Sequence, residues 1–177
     1  MGRKQDFKEC CVYAITETRL DSTIPDSAVT APGFTLFRQD RVREDVDKEG
    51  GGGVCFYIND SWCTDAKVLS QTCTSEVESL TIHCRQFYLP RETPSLLLTV
   101  VYTHPEVDAA SAIYQISAIV TGHENANPGP ISIVSGDFNH TNLRKNLSKF
   151  YQHVTCHTRK EKTLDHCYTP IKGSYRS

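Results

Sequence analysis

The sequence predicts a single mixed or antiparallel α/β domain, and three features of its patterning support this prediction. Seven short apolar segments, or eight with the less regular one over residues 62–69, have the length and the β-branched or aromatic content of strands. Several neighbouring segments are separated by short turns that are typical of hairpins. One segment changes to a spacing of three and four residues, which indicates an amphipathic helix. The 177 residues, taken as one domain from residue 1 to residue 177, suffice for one core better than for two.

The strands are predicted in order along the chain. They are CCVYAIT from residue 10, FTLFRQDR from 34, VCFYIND from 54, a segment over residues 62–69, VESLTIHC from 77, SLLLTVVY from 95, ISIVSGD from 131 and TLDHCYT from 163. SLLLTVVY is nearly continuous in apolar residues and is predicted to be buried on both faces. Asn59 and Asp60 favour a hairpin between the third and fourth strands.

Helices and turns fill the remaining segments. Ala112, Ile116 and Val120 recur at helical spacing, which predicts an amphipathic helix over residues 108–124. The spacing of apolar residues over 143–151 predicts a second, shorter helix. The glycine run at 50–53 lacks the Lys-Ser/Thr ending of a phosphate-binding loop, so it is interpreted as a tight turn with close backbone packing.

Composition excludes some classes of protein. The formal net charge of −2 excludes a strongly basic protein that coats nucleic acid. No apolar run reaches the roughly 20 residues needed to cross a bilayer, and no secretory signal is visible, so no membrane association is expected. The eight cysteines contain no C-x-x-C pair and are expected to be free thiols in a reducing, intracellular compartment.

Polar side chains stand where three of the buried strands end. CCVYAIT leads to Glu17, SLLLTVVY ends at Tyr102, and ISIVSG leads to Asp137 and Asn139. A carboxylate pocket with few basic partners favours a divalent cation with oxygen ligands, Mg²⁺ rather than zinc. In extended chain Asp137 and Asn139 face the same side, so the carboxylate could hold an attacking water and the amide could bond a phosphoryl oxygen. The alternative is an Asx turn that merely ends a strand.

Five motifs, in this order along the chain, resemble the endonuclease/exonuclease/phosphatase superfamily. They are ITETRL from residue 15, GGGV from 51, VVY from 100, GDFNH from 136 and TLDH from 163. The chain is most similar to apurinic-type endonuclease domains of non-LTR retrotransposons, particularly fish-type elements. The resemblance extends over nearly the whole chain.

The resemblance implies a four-layer α/β/β/α sandwich with mixed, mostly antiparallel sheets. It also implies Mg²⁺-dependent hydrolysis of phosphodiester bonds, with Mn²⁺ as an alternative ion, that nicks target DNA to prime reverse transcription. By position, Glu17 matches the metal-binding glutamate and Tyr102 the tyrosine that contacts the phosphate. Asp137 matches the aspartate that activates the nucleophile, Asn139 the asparagine that bonds the phosphate, and Asp165 the aspartate that orients a catalytic histidine.

The sequence departs from this pattern in three places, of which one is Arg19, where the Glu motif of the family usually has Trp. No strand carrying a metal-site asparagine precedes Cys10, and no Ser-Asp-His motif follows TLDHCYT. The expectation is therefore a domain incomplete at both termini and impaired as a nuclease, derived from an element that would also carry a reverse transcriptase. His166 belongs to the earlier TLDH motif and is not assigned the role of the catalytic histidine. Nuclear action is implied by the resemblance alone.

Two other interpretations stay open at this point. The chain could be a non-catalytic remnant or binding module, or a phosphatase or phosphodiesterase of the same superfamily. A small cluster formed by Arg38, Arg41 and Arg43 could contact a DNA backbone. Acidic neighbours such as Glu44 favour a solvated, charged loop instead.

Overall fold

A computed structural model describes residues 9–41, 51–88 and 94–173. Arg43 and Glu44, which belong to the two interpretations of the arginine cluster, lie outside these ranges. The described strands are β1 (Val12–Thr16), β2 (Phe34–Gln39), β3 (Val54–Asn59), β4 (Asp65–Cys73), β5 (Val77–Arg85), β6 (Leu96–Thr103), β7 (Ile131–Asp137), β8 (Tyr151–Gln152) and β9 (Asp165–Thr169). The one complete α-helix in these ranges is α1 (Ala109–Ala126), which Asp108 caps by accepting a hydrogen bond from the Ala110 N–H.

The strands form two sheets. Three strands make a wholly antiparallel sheet in the order β1-β3-β2. Six strands make a second sheet in the order β4-β5-β6-β7-β9-β8, in which only the pair β6 and β7 is parallel. That parallel pair is joined by α1, as a crossover connection requires.

Each face of the six-stranded sheet covers its own part of the core. Side chains of β3 pack between the sheets against alternate residues of β5 and β6, including Phe56, Ile82 and Val100. On the opposite face α1 buries Ala112, Ile116 and Val120, as the helical spacing predicts. The α/β class with two mixed, mostly antiparallel sheets is thus confirmed, and α1 with the two sheets accounts for three of the four predicted layers.

Two local predictions are wrong. Asn59 and Asp60 do not close a hairpin, because β3 already has β1 and β2 on its two edges, so the chain crosses to the other sheet before β4 begins. The predicted second helix is a single 3₁₀ turn, Leu143–Lys145, followed by an irregular segment and the short strand β8. Asn142 caps that turn, and the Leu143 N–H donates to the Tyr168 hydroxyl. These contacts hold the buried Leu143 in place, so burial of the apolar residues does not need a continuous helix.

No helix in the described ranges combines the length and apolar character that a membrane-spanning segment requires.

Candidate active site

Glu17 lies immediately beyond β1, at the rim where the two sheets meet. Its backbone is left-handed, with φ of 54°, and Arg19 is also left-handed, with φ of 57°. Such conformations of non-glycine residues cost about 1–2 kcal/mol each and persist only where surrounding contacts hold them. Those contacts come from the glycine turn (residues 51–53): the Thr18 N–H donates to the Gly53 carbonyl at 3.1 Å and the Arg19 N–H to the Gly52 carbonyl at 2.9 Å.

Tyr102 and Asp137 are neighbours across the parallel pair β6 and β7. They are direct register partners, and Val101 is paired with Gly136 one position earlier. Gly136 has φ of 142°, and a Cβ there would overlap the Val101 carbonyl oxygen. Only glycine therefore permits the close approach of these strands that sets Asp137 beside Tyr102.

Asn139 and Asp165 complete the group. The Asp137 carboxylate accepts the Asn139 N–H at 3.0 Å, so the predicted Asx turn does exist, and it ends β7 inside the candidate site. The Asn139 side-chain amide donates to the Thr103 carbonyl at 2.6 Å, which commits one of its two N–H groups to holding the loop. Asp165 stands directly opposite Asp137 in the pairing of β9 with β7.

Electrostatics couple these groups. Burial raises the pKa of Asp137, and the like charges of Asp165 and Glu17 raise it further, against opposing effects of the Asn139 N–H and Arg159. Burial also raises the pKa of Tyr102, whose hydroxyl is hydrogen-bonded to Glu17. Tyr102 is therefore a neutral donor at physiological pH, and Asp137 is a stronger base than a solvated aspartate.

A basic hairpin borders the acidic group. In the basic hairpin (residues 159–162) the Arg159 and Lys162 backbones exchange two hydrogen bonds of 3.0 Å, and Lys160 at its tip has φ of 52°. Together with Asn139 and His140 it lines an open cleft of about 580 Å³. Three of the four hairpin side chains that line the cleft are cationic, and Arg159 interacts electrostatically with Asp137, so the cleft suits a substrate that carries phosphate.

The structure thus brings together all five residues singled out in the sequence. Glu17, Tyr102 and Asp137 interact with one another, and Asn139 and Asp165 each adjoin Asp137. Sequence reasoning missed Arg159, for which a cationic turn just before TLDH was the available signal. It also missed Glu78, a fully buried acid on β5 beside Tyr102, whose signal was a carboxylate inside an otherwise apolar strand.

His166 does not line the cleft, and its ring is buried against other side chains of the core. Its ring stacks on Phe138 with centroids 5.1 Å apart. One ring nitrogen lies 2.9 Å from the Tyr168 hydroxyl and the other 3.1 Å from the Thr163 carbonyl. Burial lowers the pKa of His166, so the ring is a neutral part of the core.

Both interpretations of the arginine cluster are wrong for its described members. Arg38 is only 16% exposed and pairs with Asp26 at 3.2 Å and with Asp40 at 3.1 Å. Arg41 is only 10% exposed and donates to the Gly51 carbonyl at 2.8 Å. These guanidinium groups hold loops in place instead of facing solvent or a DNA backbone.

The described side chains do not by themselves form a complete set of metal ligands. Within the described ranges, no three His, Cys, Asp or Glu residues are arranged as ligands of one ion. The oxygen donors at the rim nevertheless fit Mg²⁺, which commonly takes one or two carboxylates and completes its shell with water and substrate phosphate. Glu17 and Asp165 lie close enough to Asp137 for their like charges to raise its pKa, and this grouping of three carboxylates is the structural observation that favours a cation here.

No protein family and no curated protein matches the chain by sequence. Solved structures do match. An endonuclease/exonuclease/phosphatase family protein from Bacteroides thetaiotaomicron aligns with a TM-score of 0.60 and 12% identity, over 95% of this chain and 72% of its own. The endonuclease domain of TRAS1, a telomere-specific non-LTR retrotransposon, aligns with a TM-score of 0.59 and 14% identity, over 94% and 76%.

TDP2 from D. rerio, solved with a single-strand DNA product, aligns with a TM-score of 0.60 and 10% identity, over 94% of this chain and 73% of its own. These likenesses show that the chain has the endonuclease/exonuclease/phosphatase fold.

Proposed function

We propose that this chain hydrolyses phosphodiester bonds in DNA at the rim formed by Glu17, Tyr102 and Asp137. One observation carries the proposal: residues far apart in sequence converge there beside a basic cleft. Three separate features support DNA as the substrate. They are the cations of the basic hairpin, the open shape of the cleft, and the fold shared with a retrotransposon endonuclease domain and with a protein solved with a DNA product.

The roles follow from the contacts. Asp137, whose pKa is raised by burial, holds a water molecule and accepts its proton as the water attacks phosphorus. Tyr102 stays protonated and offers a hydroxyl hydrogen to the phosphate or to Glu17. The Asn139 amide has a second N–H besides the one that it donates to the Thr103 carbonyl, and this second N–H stabilises a phosphoryl oxygen as its charge grows. Arg159, which lines the cleft, adds positive charge close enough to Asp137 to lower the pKa of that carboxyl.

Mg²⁺ belongs to this proposal, with Glu17 as the carboxylate that would hold it. Such an ion supplies Lewis-acid stabilisation of charge on the phosphoryl oxygens when it is bound. We also propose that the chain nicks DNA slowly. The resemblance implies a histidine that His166 does not supply, since that ring is occupied in the core. Action on nuclear DNA, and a link to a reverse transcriptase of a fish-type element, are further parts of the proposal.

The test is nicking of supercoiled plasmid in Mg²⁺ by the wild-type chain and by Asp137→Ala. Nicking by the wild-type chain should be measurable and should fall by at least about 100-fold in Asp137→Ala, as expected for loss of a group acting on the nucleophile. Asp60→Asn is the matched control. Asp60 accepts a hydrogen bond from Thr35 at the end of β3 opposite the glycine turn, so this variant should retain wild-type activity.

Two results would contradict the proposal. One is a wild-type chain, folded by circular dichroism, that shows no nicking above a buffer blank. The other is nicking that persists unchanged in Asp137→Ala, which would assign the activity to a contaminant or to another site.

A further inference from the structure

Glu78 is a buried carboxylate that the proposed chemistry does not use. It lies on β5, directly opposite Tyr102 in the register of β5 with β6, and its side chain is 0% exposed. A charged group so far from water requires partners that repay its desolvation. Those partners identify what the residue does.

The contacts of Glu78 converge on the glycine turn. One carboxylate oxygen accepts the Gly53 N–H. The other lies 3.4 Å from His104 Nε2 and 3.8 Å from Arg41 Nε. Arg41 in turn donates from Nη1 to the Gly51 carbonyl at 2.8 Å. Glu78 and Arg41 therefore hold the two ends of the same three-residue turn.

The turn requires this support. Gly52 and Gly53 have φ of 93° and 83°, in the region that other residues rarely adopt. A Cβ at Gly52 would overlap the Glu78 carboxylate, so the acid packs directly against the peptide backbone. Three consecutive glycines have a large conformational entropy to lose, and a buried anchor is what orders them.

The ordered turn in turn fixes the segment that carries Glu17. The carbonyls of Gly53 and Gly52 accept the Thr18 and Arg19 N–H groups, which follow Glu17 directly. Glu17 itself is left-handed and makes its hydrogen bond with Tyr102 from that conformation. The path from Glu78 to Glu17 thus consists of one hydrogen bond from the turn backbone to the Glu78 carboxylate, followed by two backbone hydrogen bonds between the turn and the segment after Glu17.

We propose that Glu78 is a positioning residue that, through the glycine turn, holds Glu17 in its left-handed conformation at the rim of the site. The catalytic consequence rests on the proposed function, whereas the structural consequence does not. Glu78 touches neither substrate nor reacting atoms, so its effect should be on the turnover step and on backbone order, with little effect on binding of DNA.

The test uses the full chain with Glu78→Ala and measures amide hydrogen exchange by NMR. Exchange at Thr18 and Arg19 should accelerate at least tenfold relative to amides of β6. In plasmid nicking, kcat should fall about 100-fold with KM within twofold, as expected for a misplacement of about 1 Å at a reacting centre. The control is Glu76→Ala, since Glu76 accepts from Ser111 and Gln115 on α1 and has no side-chain contact with the glycine turn.

A second variant covers the case in which Glu78→Ala does not fold. Glu78→Met combined with Arg41→Met removes both charges together, which proteins tolerate better than one unpaired buried charge. It still removes both anchors of the turn, so the same acceleration is expected.

An acceleration of less than tenfold at Thr18 and Arg19, in either folded variant, would overturn the proposal, as would an equal acceleration in Glu76→Ala. A wild-type chain without nicking activity would refute the proposed function alone, because the exchange measurement still decides the role of Glu78.

Discussion

Replacement of Gly136 by alanine tests whether the close approach of β6 and β7 builds the site. A Cβ at Gly136 would overlap the Val101 carbonyl oxygen and would lie 2.9 Å from the Val101 N and C atoms. Ordinary contacts of a Cβ begin at 3.4 Å, so the strands must separate by at least 0.5 Å, and by more to clear the oxygen. This displacement falls on the residue pair that precedes Tyr102 and Asp137 in the register.

Two costs add in this variant. The backbone conformation, with φ of 142°, costs about 1–3 kcal/mol for a residue with a Cβ. The forced separation of packed strands costs a further 1–3 kcal/mol or so. We therefore expect Gly136→Ala to lower the free energy of unfolding by about 2–6 kcal/mol. A shift approaching 1 Å between Tyr102 and Asp137 should also lower kcat for nicking by about 100-fold in the molecules that remain folded.

The measurement is urea denaturation followed by circular dichroism, with nicking assayed where each variant is folded. Gly122→Ala is the matched control. Gly122 is exposed on α1 and has open space around its Cα, so alanine should stabilise the protein by about 0.5–1 kcal/mol. If the free energy of unfolding of Gly136→Ala lies within about 0.5 kcal/mol of the wild-type value, the structure does not depend on the close approach of β6 and β7, and the reasoning is refuted.

Two further predictions concern charge. Asp137→Asn should raise the free energy of unfolding at pH 7. Burial and the charges of Asp165 and Glu17 raise the pKa of Asp137 in the folded state above its ordinary value of 3.8. The wild-type chain therefore loses stability as the pH rises from the ordinary pKa through the raised one, and the variant does not. The advantage of the variant should vanish at pH 3, where both states of the wild-type carboxyl are protonated, and a variant less stable at pH 7 would contradict the assignment. Arg159→Ala should weaken binding to duplex DNA and reduce the slope of log K against log salt by about 0.9, measured by fluorescence anisotropy. The exposed Lys172, beyond the other end of β9, supplies the control Lys172→Ala, and equal slopes for both variants would remove Arg159 from the DNA interface.

Periodicity was a reliable guide where one physical cause dominates. The apolar run of β6 and the helical spacing of Ala112, Ile116 and Val120 predicted a buried strand and a packed helix, because burial alone determines both patterns. The same reasoning failed over residues 143–151. There Leu143 and Phe150 are buried by an irregular chain, which satisfies the spacing of apolar residues equally well.

The turn at Asn59 shows a different limit. A turn does form there, and the Asn59 side chain accepts hydrogen bonds from the Ser61 N–H and hydroxyl, but the turn does not join the two strands of a hairpin. They do not predict which strand lies next to which, because pairing depends on whether the edges of β3 are already occupied.

By itself, the sequence predicted the α/β class, the positions of most strands along the chain, and the five residues that make up the candidate site. Each follows from local patterns or from short motifs that read along the chain. Only the tertiary structure decided that the side chains of Glu78 and Arg41 contact the glycine turn, and that Arg159 lies close enough to Asp137 to lower the pKa of its carboxyl. These contacts join residues that are distant in sequence, and a side chain's burial and charge partners depend on which strands are neighbours, which no local pattern encodes.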